Sequence, residues 1–566
     1  MKHRIRKHQF VWNISMARFR KNALRSNSLV HKESLKHHFQ DYCASTSIHG
    51  VKYLGDPSRP SSERIWWVTM LACCMIGNGY LISKVWIKWH DSPVIVSFAE
   101  TAMPIWEVPF PAITFCSEIK SRVDVFNFTD AILKYQNGSI AQSDEEMKRM
   151  GDLTLLCDKH VLVENGQKVT DNSTLEFLDE MIPEVDDTTI VCQFADSTPT
   201  NCSEYFSRIF TDEGVCYSFN MLAAPELFRG YGNPMFLDHG LASSWSLEAG
   251  YDRDAPLQTT YPRRVISAGA STSFNLVVKY RVRDTDFHCR GPVQGFKILL
   301  HNPGEFPLVT ERHLRIPLSQ EIIAMVQPKV MTTSDGLRPY SPQIRQCFFP
   351  SERYLAHFRI YTQRNCEVEC LTNFTLARCG CVNLYMPRNE TTPLCGAGSK
   401  QCMVDAENEL KLVEIEAARN ADVNSKCNCL QACQSINFDA ETSQADYDTI
   451  KTLLSYGDNL TELAGHEGAR VRIFFKDMQF STSRRSELFG LVDFLANCGG
   501  LLGLFCGISI LSFCEIVYYI TLRFWANLHL IKKKHESMDI DDGVDNTITV
   551  YPQPQPQSII EELKEC

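Results

Sequence analysis

The sequence predicts a membrane α+β fold: two transmembrane helices carrying a large disulfide-rich ectodomain with a β core and a helical module. Three observations predict it. Two apolar runs stand near the two ends of the 566 residues, at 65–87 and 488–522. Sixteen of the 23 cysteines lie between them, an even number suited to a compartment that oxidises thiols. Seven Asn-x-Ser/Thr sequons lie there too, at Asn127, Asn137, Asn172, Asn201, Asn373, Asn389 and Asn459.

Residues 1–64 hold 13 Lys/Arg against four Asp/Glu, although the whole chain carries a net charge of −10. This basic region, and Lys532, Lys533 and Lys534 after the second run, mark one side as cytosolic, so both termini are expected there. The run 65–87 has the length of a spanning helix, and Trp66, Trp67, Trp86 and Trp89 stand at its ends as an interfacial belt would. A buried soluble helix would not need these flanks. A signal peptide would start nearer the N-terminus and end in a small-residue cleavage site.

Region 88–487 is expected outside the cell. Residues 104–116 read as proline-punctuated extended chain entering a strand. Alternation at Thr272–Tyr280 and Gly295–Leu300 predicts strands. Helical periodicity at Ser351–Tyr361 and Glu407–Ala418 predicts two helices inside a cluster of ten cysteines, 347–433. Only His357 accompanies those cysteines and two sequons interrupt them, which favours disulfides over zinc. Spacing alone leaves their connectivity open. The chain carries no P-loop, no Gly-x-Ser-x-Gly elbow and no His-Glu-x-x-His, so no enzyme class, metal, cofactor or nucleic-acid partner is expected.

The stretch Leu488–Ile520 is too long for a plain anchor. As one helix its 33 residues would reach about 50 Å, against a hydrocarbon core of about 30 Å. It must tilt, protrude or break, and Gly499, Gly500, Gly503 and Gly507 mark where it would break or pack closely. Their spacing also suits a simple small-residue helix crossing. The tail 523–566 contains Tyr551–Gln557, a Pro-Gln repeat that favours polyproline II and disorder.

Several motifs occur in a fixed order: His49-Gly50, Phe-Pro-Ala-Ile-Thr-Phe-Cys at 110–116, Gly-Val-Cys-Tyr-Ser-Phe-Asn at 214–220, and Tyr361-Thr-Gln-Arg-Asn-Cys-Glu-Val-Glu-Cys370. Cys379-Gly-Cys, Tyr385-Met-Pro and Gly499-Gly-Leu-Leu-Gly-Leu-Phe-Cys-Gly-Ile-Ser509 follow. In this order and topology the chain resembles the degenerin/epithelial sodium channel family, and within it the insect pickpocket branch, over nearly its whole length.

The resemblance implies a trimeric channel, a homo- or heterotrimer of related subunits in the lipid of the plasma membrane, permeated by sodium and blocked by amiloride. Gating by a ligand or by force is expected, with an extracellular ligand or tether as a candidate partner, and the resemblance does not choose the stimulus. It implies Gly507-Ile508-Ser509 as selectivity filter, His49-Gly50 as a gating motif, Ala496 as the position where bulk holds such channels open, and Gly503 as a blocker contact. Asp493, Asn497 and Glu515 become pore-associated residues; Asn497 stands where relatives often carry Asp. For the cysteines it implies a thumb ladder of 347–433, 366–429, 370–427, 379–402 and 381–395, together with 116–216 and 192–202, and leaves Cys157 to Cys289. A receptor or adhesion ectodomain on two plain anchors, and an accessory subunit that conducts poorly alone, are the competing readings.

Overall fold

A computed structural model of the chain describes residues 36–527, apart from 92–93, 140–144, 164–165, 196, 199–200, 231–242, 253, 258, 420–425 and 458–464. Lys532–Lys534, the Pro-Gln tail and Asn459 lie outside the described residues. The chain divides into two compact units, residues 93–488 and the two end segments that flank them. The main helices, in order, are α1 (36–45), α2 (Ser61–Asp91), α3 (Phe128–Gln136), α4 (Glu145–Thr154) and α5 (Asn172–Met181). They continue with α6 (Gln363–Cys379), α7 (Lys400–Arg419), α8 (Thr449–Tyr456), α9 (Leu491–Cys506) and α10 (Ile510–Tyr518).

The larger unit is built on two sheets. Its strands are β1 (Val94–Phe98), β2 (Ala112–Ser117), β3 (Thr189–Phe194), β4 (Phe206–Thr211), β5 (Gly214–Phe219) and β6 (Phe274–Arg281). Then come β7 (Phe296–His301), β8 (Leu314–Ile316), β9 (Gln320–Thr333), β10 (Ser435–Asp446), β11 (His466–Phe475) and β12 (Ser483–Glu487). One sheet runs β1-β12-β9-β11-β6-β3, with β10 paired to β9; the other runs β8-β7-β2-β5-β4. The alternation in Thr272–Tyr280 and Gly295–Leu300 thus lies on β6 and β7. Both sheets turn their apolar sides into one aromatic core, where Phe219 of β5 stacks on Phe274 of β6 at 4.4 Å. A second core gathers Phe128, Leu153, Leu178 and Met181 from α3, α4 and α5.

The helix expected over Ser351–Tyr361 is not formed; that stretch is turn and extended chain, and the helix begins at Gln363. Tertiary partners override the local periodicity. Glu369 of α6 accepts the N–H groups of Ala356 and His357, and Phe358 bridges to Phe228 as a short strand pair. Thr362 then caps α6 by accepting from the Asn365 N–H. The second expected helix, Glu407–Ala418, lies inside α7.

Eight disulfides are present: Cys116–Cys216, Cys157–Cys289, Cys192–Cys202, Cys347–Cys433, Cys366–Cys429, Cys370–Cys427, Cys379–Cys402 and Cys381–Cys395. Five of them tie α6, α7 and their flanking loops into a ladder where little apolar core is available. The sequon residues Asn127, Asn137, Asn172, Asn201, Asn373 and Asn389 are all exposed. Two buried charged groups show how burial is offset. Lys400 donates to the carbonyls of Thr154, Cys157, Asp158 and Val161. Burial pushes the Glu118 carboxyl up, but Lys120, Lys297, Arg290 and Arg315 outweigh it and hold it below the usual range.

Candidate ion pathway

Among the described residues, α2 is the one single helix long and apolar enough to cross a bilayer, and it contains the expected span 65–87 with about a turn to spare at each end. The second apolar run is broken. Residues Leu491–Cys506 and Ile510–Asn527 meet the same criterion only together, and they meet at a bend of 67°.

The residues at the bend explain it. Gly507 adopts φ 66°, ψ 20°, the left-handed C-cap conformation that costs a residue with a Cβ dearly. Its N–H bonds to the Gly503 carbonyl at 2.9 Å, and the Ile508 N–H reaches Leu502 at 3.2 Å, so the end of α9 is closed off. Ser509 is then extended, and its hydroxyl accepts from the Ser512 N–H at 3.3 Å to start α10. Gly-Ile-Ser is therefore a C-cap, a linker and an N-cap in three residues.

The His49-Gly50 pair sits at this bend. The His49 N–H donates to the Cys506 carbonyl at 2.9 Å. A Cβ on Gly507 would stand 2.7 Å from His49 Cδ2, so the imidazole fills the space that glycine leaves. Gly50 takes φ 82°, which turns the chain beside Trp67; a Cβ there would meet that indole at 3.3 Å. Tyr53 stacks on the same ring at 4.5 Å.

Two residues that sequence reasoning missed complete the arrangement. The Ser47 N–H and hydroxyl each reach Glu515 Oε2 at 3.2 Å, and its Oγ lies 2.7 Å from Ser512 Oγ. Ser512 Oγ in turn accepts from the Ser509 N–H at 3.1 Å. The expected pore-associated carboxylate of Glu515 is thus anchored on the loop before α2. The only sequence signal was the pair of serines three residues apart, 509 and 512, which suits a helix start.

The remaining expected site residues lie on α9, away from the bend. Ala496, Asn497 and Asp493 are exposed. Asp493 accepts from the Gly490 N–H at 3.1 Å, an N-terminal cap, and Asn497 Nδ2 donates back to the Asp493 carbonyl at 2.8 Å. Gly499, Gly500 and Gly503 have nothing within 4 Å of where a Cβ would stand, so this chain leaves that face of α9 open. The packed face meets α2 through Phe494, stacked on Trp89 at 4.9 Å, and through Phe505 beside Gly77. Among the described residues no group of three or more His, Cys, Asp or Glu could hold a metal ion.

Comparison with known proteins identifies the family. The family described as amiloride-sensitive sodium channel matches residues 42–519. Pickpocket protein 28 of Drosophila melanogaster is 28% identical over 530 residues, 90% of this chain and 82% of its own length. Sodium channel protein Nach of the same species is 22% identical over 508 residues, covering 88% and 89% of the two chains. Acid-sensing ion channel 1 of Gallus gallus is 23% identical over 523 residues, 89% and 88%. The permeant ion of this family is sodium, its members work without a cofactor and are not enzymes, and its channels form oligomers of related subunits in a membrane. The chain belongs to the amiloride-sensitive sodium channel family.

Proposed function

We propose that this chain is a subunit of an amiloride-sensitive, sodium-selective channel of the plasma membrane, gated by a ligand or by force in a sensory role. It spans the bilayer at 65–87 and 488–522, holds 88–487 outside, and keeps residues 1–64 and 523–566 in the cytosol. Three copies, alike or related, enclose the pore. One observation carries the reading: His49 and Gly507, from opposite ends of the chain, meet at a break in the second apolar run, with the His49 N–H on the Cys506 carbonyl at 2.9 Å. Non-helical backbone at membrane depth is tolerated only where protein or water lines it. A ring of such breaks would offer Gly507, Ile508 and Ser509 to a partly dehydrated cation. Ala496 is the gate-side position, Gly503 the blocker contact, and the exposed sequon asparagines together with Asn459 the glycan acceptors.

Recording from cells that express the chain with Ala496→Phe tests this. An amiloride-blocked sodium current is expected. Silence despite surface expression would replace this reading with that of an accessory subunit. Asn497 favours that alternative, since it leaves the outer part of α9 less acidic and its amide is spent on the Asp493 carbonyl.

A further inference from the structure

Below α10 the second apolar run does not continue as plain α-helix. Tyr519–Arg523 form a π-turn, in which one extra residue is accommodated and the i→i−4 ladder is interrupted. Such a turn leaves backbone carbonyls in need of other donors. Two side chains here bond to carbonyls of the turn and its upstream edge. The Thr521 hydroxyl donates to the Val517 carbonyl at 2.6 Å, from within the turn. His38 Nε2 lies 3.0 Å from the Tyr519 carbonyl, from outside it.

His38 belongs to α1, and α1 grips the same window at further points. His38 Nδ1 lies 2.9 Å from Asn527 Nδ2, and the imidazole meets the Phe524 ring edge-on at 5.8 Å. Arg523 donates to Asp41 Oδ2 at 3.0 Å. Tyr42 packs edge-on against the Tyr519 ring at 5.3 Å. A carbonyl, a charge and two rings of the π-turn and its downstream edge are therefore all engaged by one ten-residue helix.

We propose that α1 is a clamp that keeps this π-turn in place, so that the rotational register of the chain below it depends on the N-terminal segment. Closing the π-turn to α would rotate everything after it by about 100°, one residue's worth of helical turn. That rotation would carry Arg523 away from Asp41, and Phe524 and Asn527 away from His38. The clamped and closed forms are thus two discrete arrangements, and His38 and Asp41 bias the choice between them.

Cross-linking in the full-length chain tests the clamp without needing current. A protease site inserted between α8 and β11, after the last ectodomain disulfide at Cys433, gives two fragments that no native bridge joins. Oxidation of Asp41→Cys/Arg523→Cys in membranes is expected to join them, and neither single variant should. Adding His38→Ala should lower the joined fraction about threefold or more, while His38→Gln, which keeps a donor, should retain it. A second readout follows the register. Trp525 is 74% exposed and Phe524 36%, so a cysteine at 525 should react faster with an impermeant thiol reagent applied from the cytosolic side than one at 524. His38→Ala should move the fast position by one residue. Fragments that stay apart in the double variant, or a labelling pattern unchanged by His38→Ala, would overturn the proposal.

Discussion

At the scale of single residues, Gly507 is constrained twice. Its left-handed conformation alone costs an L-residue about 1–2 kcal/mol, and the His49 ring occupies the place of a Cβ. Gly507→Ala is expected to abolish current at normal surface density. His49→Ala in the same chain should relieve the steric part and leave the backbone part. Gly50→Ser should lower open probability without loss from the surface, because φ 82° and the Trp67 contact penalise any side chain; unchanged single-channel opening would count against the role. In the ectodomain, His301 and Glu305 should shape stability against pH with opposite signs. Burial pushes His301 down to about 4, with its ring between Thr114 Oγ1 at 2.8 Å and the Asn302 carbonyl at 3.0 Å. The unfolded ring takes a proton below about 6.5, so His301's contribution is present above that pH and is lost as pH falls towards 4. Burial pushes Glu305 up to about 7 against the pull of Arg364. Its contribution is present below the usual carboxylate range and is lost as pH rises through 7. Melting curves of the purified chain across this range should lose the first slope in His301→Asn and the second in Glu305→Gln.

Elements were legible where the chemistry of the ends is local. The bend between α9 and α10 could be anticipated from length and glycine content, since a C-cap glycine and an N-cap serine act within a few residues. The clamp helix α1 was not anticipated, because its signal is only Phe39, Tyr42 and Cys43 at helical spacing beside a basic stretch. Ser351–Tyr361 was misread because its backbone donors are claimed by Glu369, a partner that no local pattern reveals. The ladder on α6 also makes a graded prediction. With Cys366–Cys429 intact, Cys370–Cys427 closes only a small extra loop, worth about 2 kcal/mol in the chain-entropy account, whereas alone it would close a loop worth about 4 kcal/mol. Cys370→Ala/Cys427→Ala should therefore cost about half of what that pair adds when Cys366 and Cys429 are already alanine. Thermal unfolding of the purified variants would show equal steps if the two bridges were independent.

For the whole molecule, one chain provides too little wall for a polar path. The open glycine face of α9 has no partner among the described residues, and neighbouring copies are the simplest cover for it under closed rotational symmetry. Single-molecule photobleaching of tagged surface complexes should give at most three steps per spot, and Gly499→Leu should reduce the three-step class. A count of one or two with full current would exclude the trimer. The disulfide-rich, β-rich ectodomain was legible from cysteines and alternation together. The meeting of the two end segments at the Gly507-Ile508-Ser509 break was not, because no spacing rule relates residues 47–50 to 506–515.

The break also has an electrical consequence. A continuous helix shows its partial charges only at its two ends, whereas α9 and α10 bring opposite poles together within the second apolar run. The negative end of α9, about half an elementary charge, faces the positive end of α10 across Gly507-Ile508-Ser509. In the pore proposed above, a cation arriving along α9 would meet attraction followed by a barrier, and the backbone alone would supply both. If that proposed path conducts, the asymmetry of the field would rectify the current, and would do so even in a channel whose flanking carboxylates had all been neutralised.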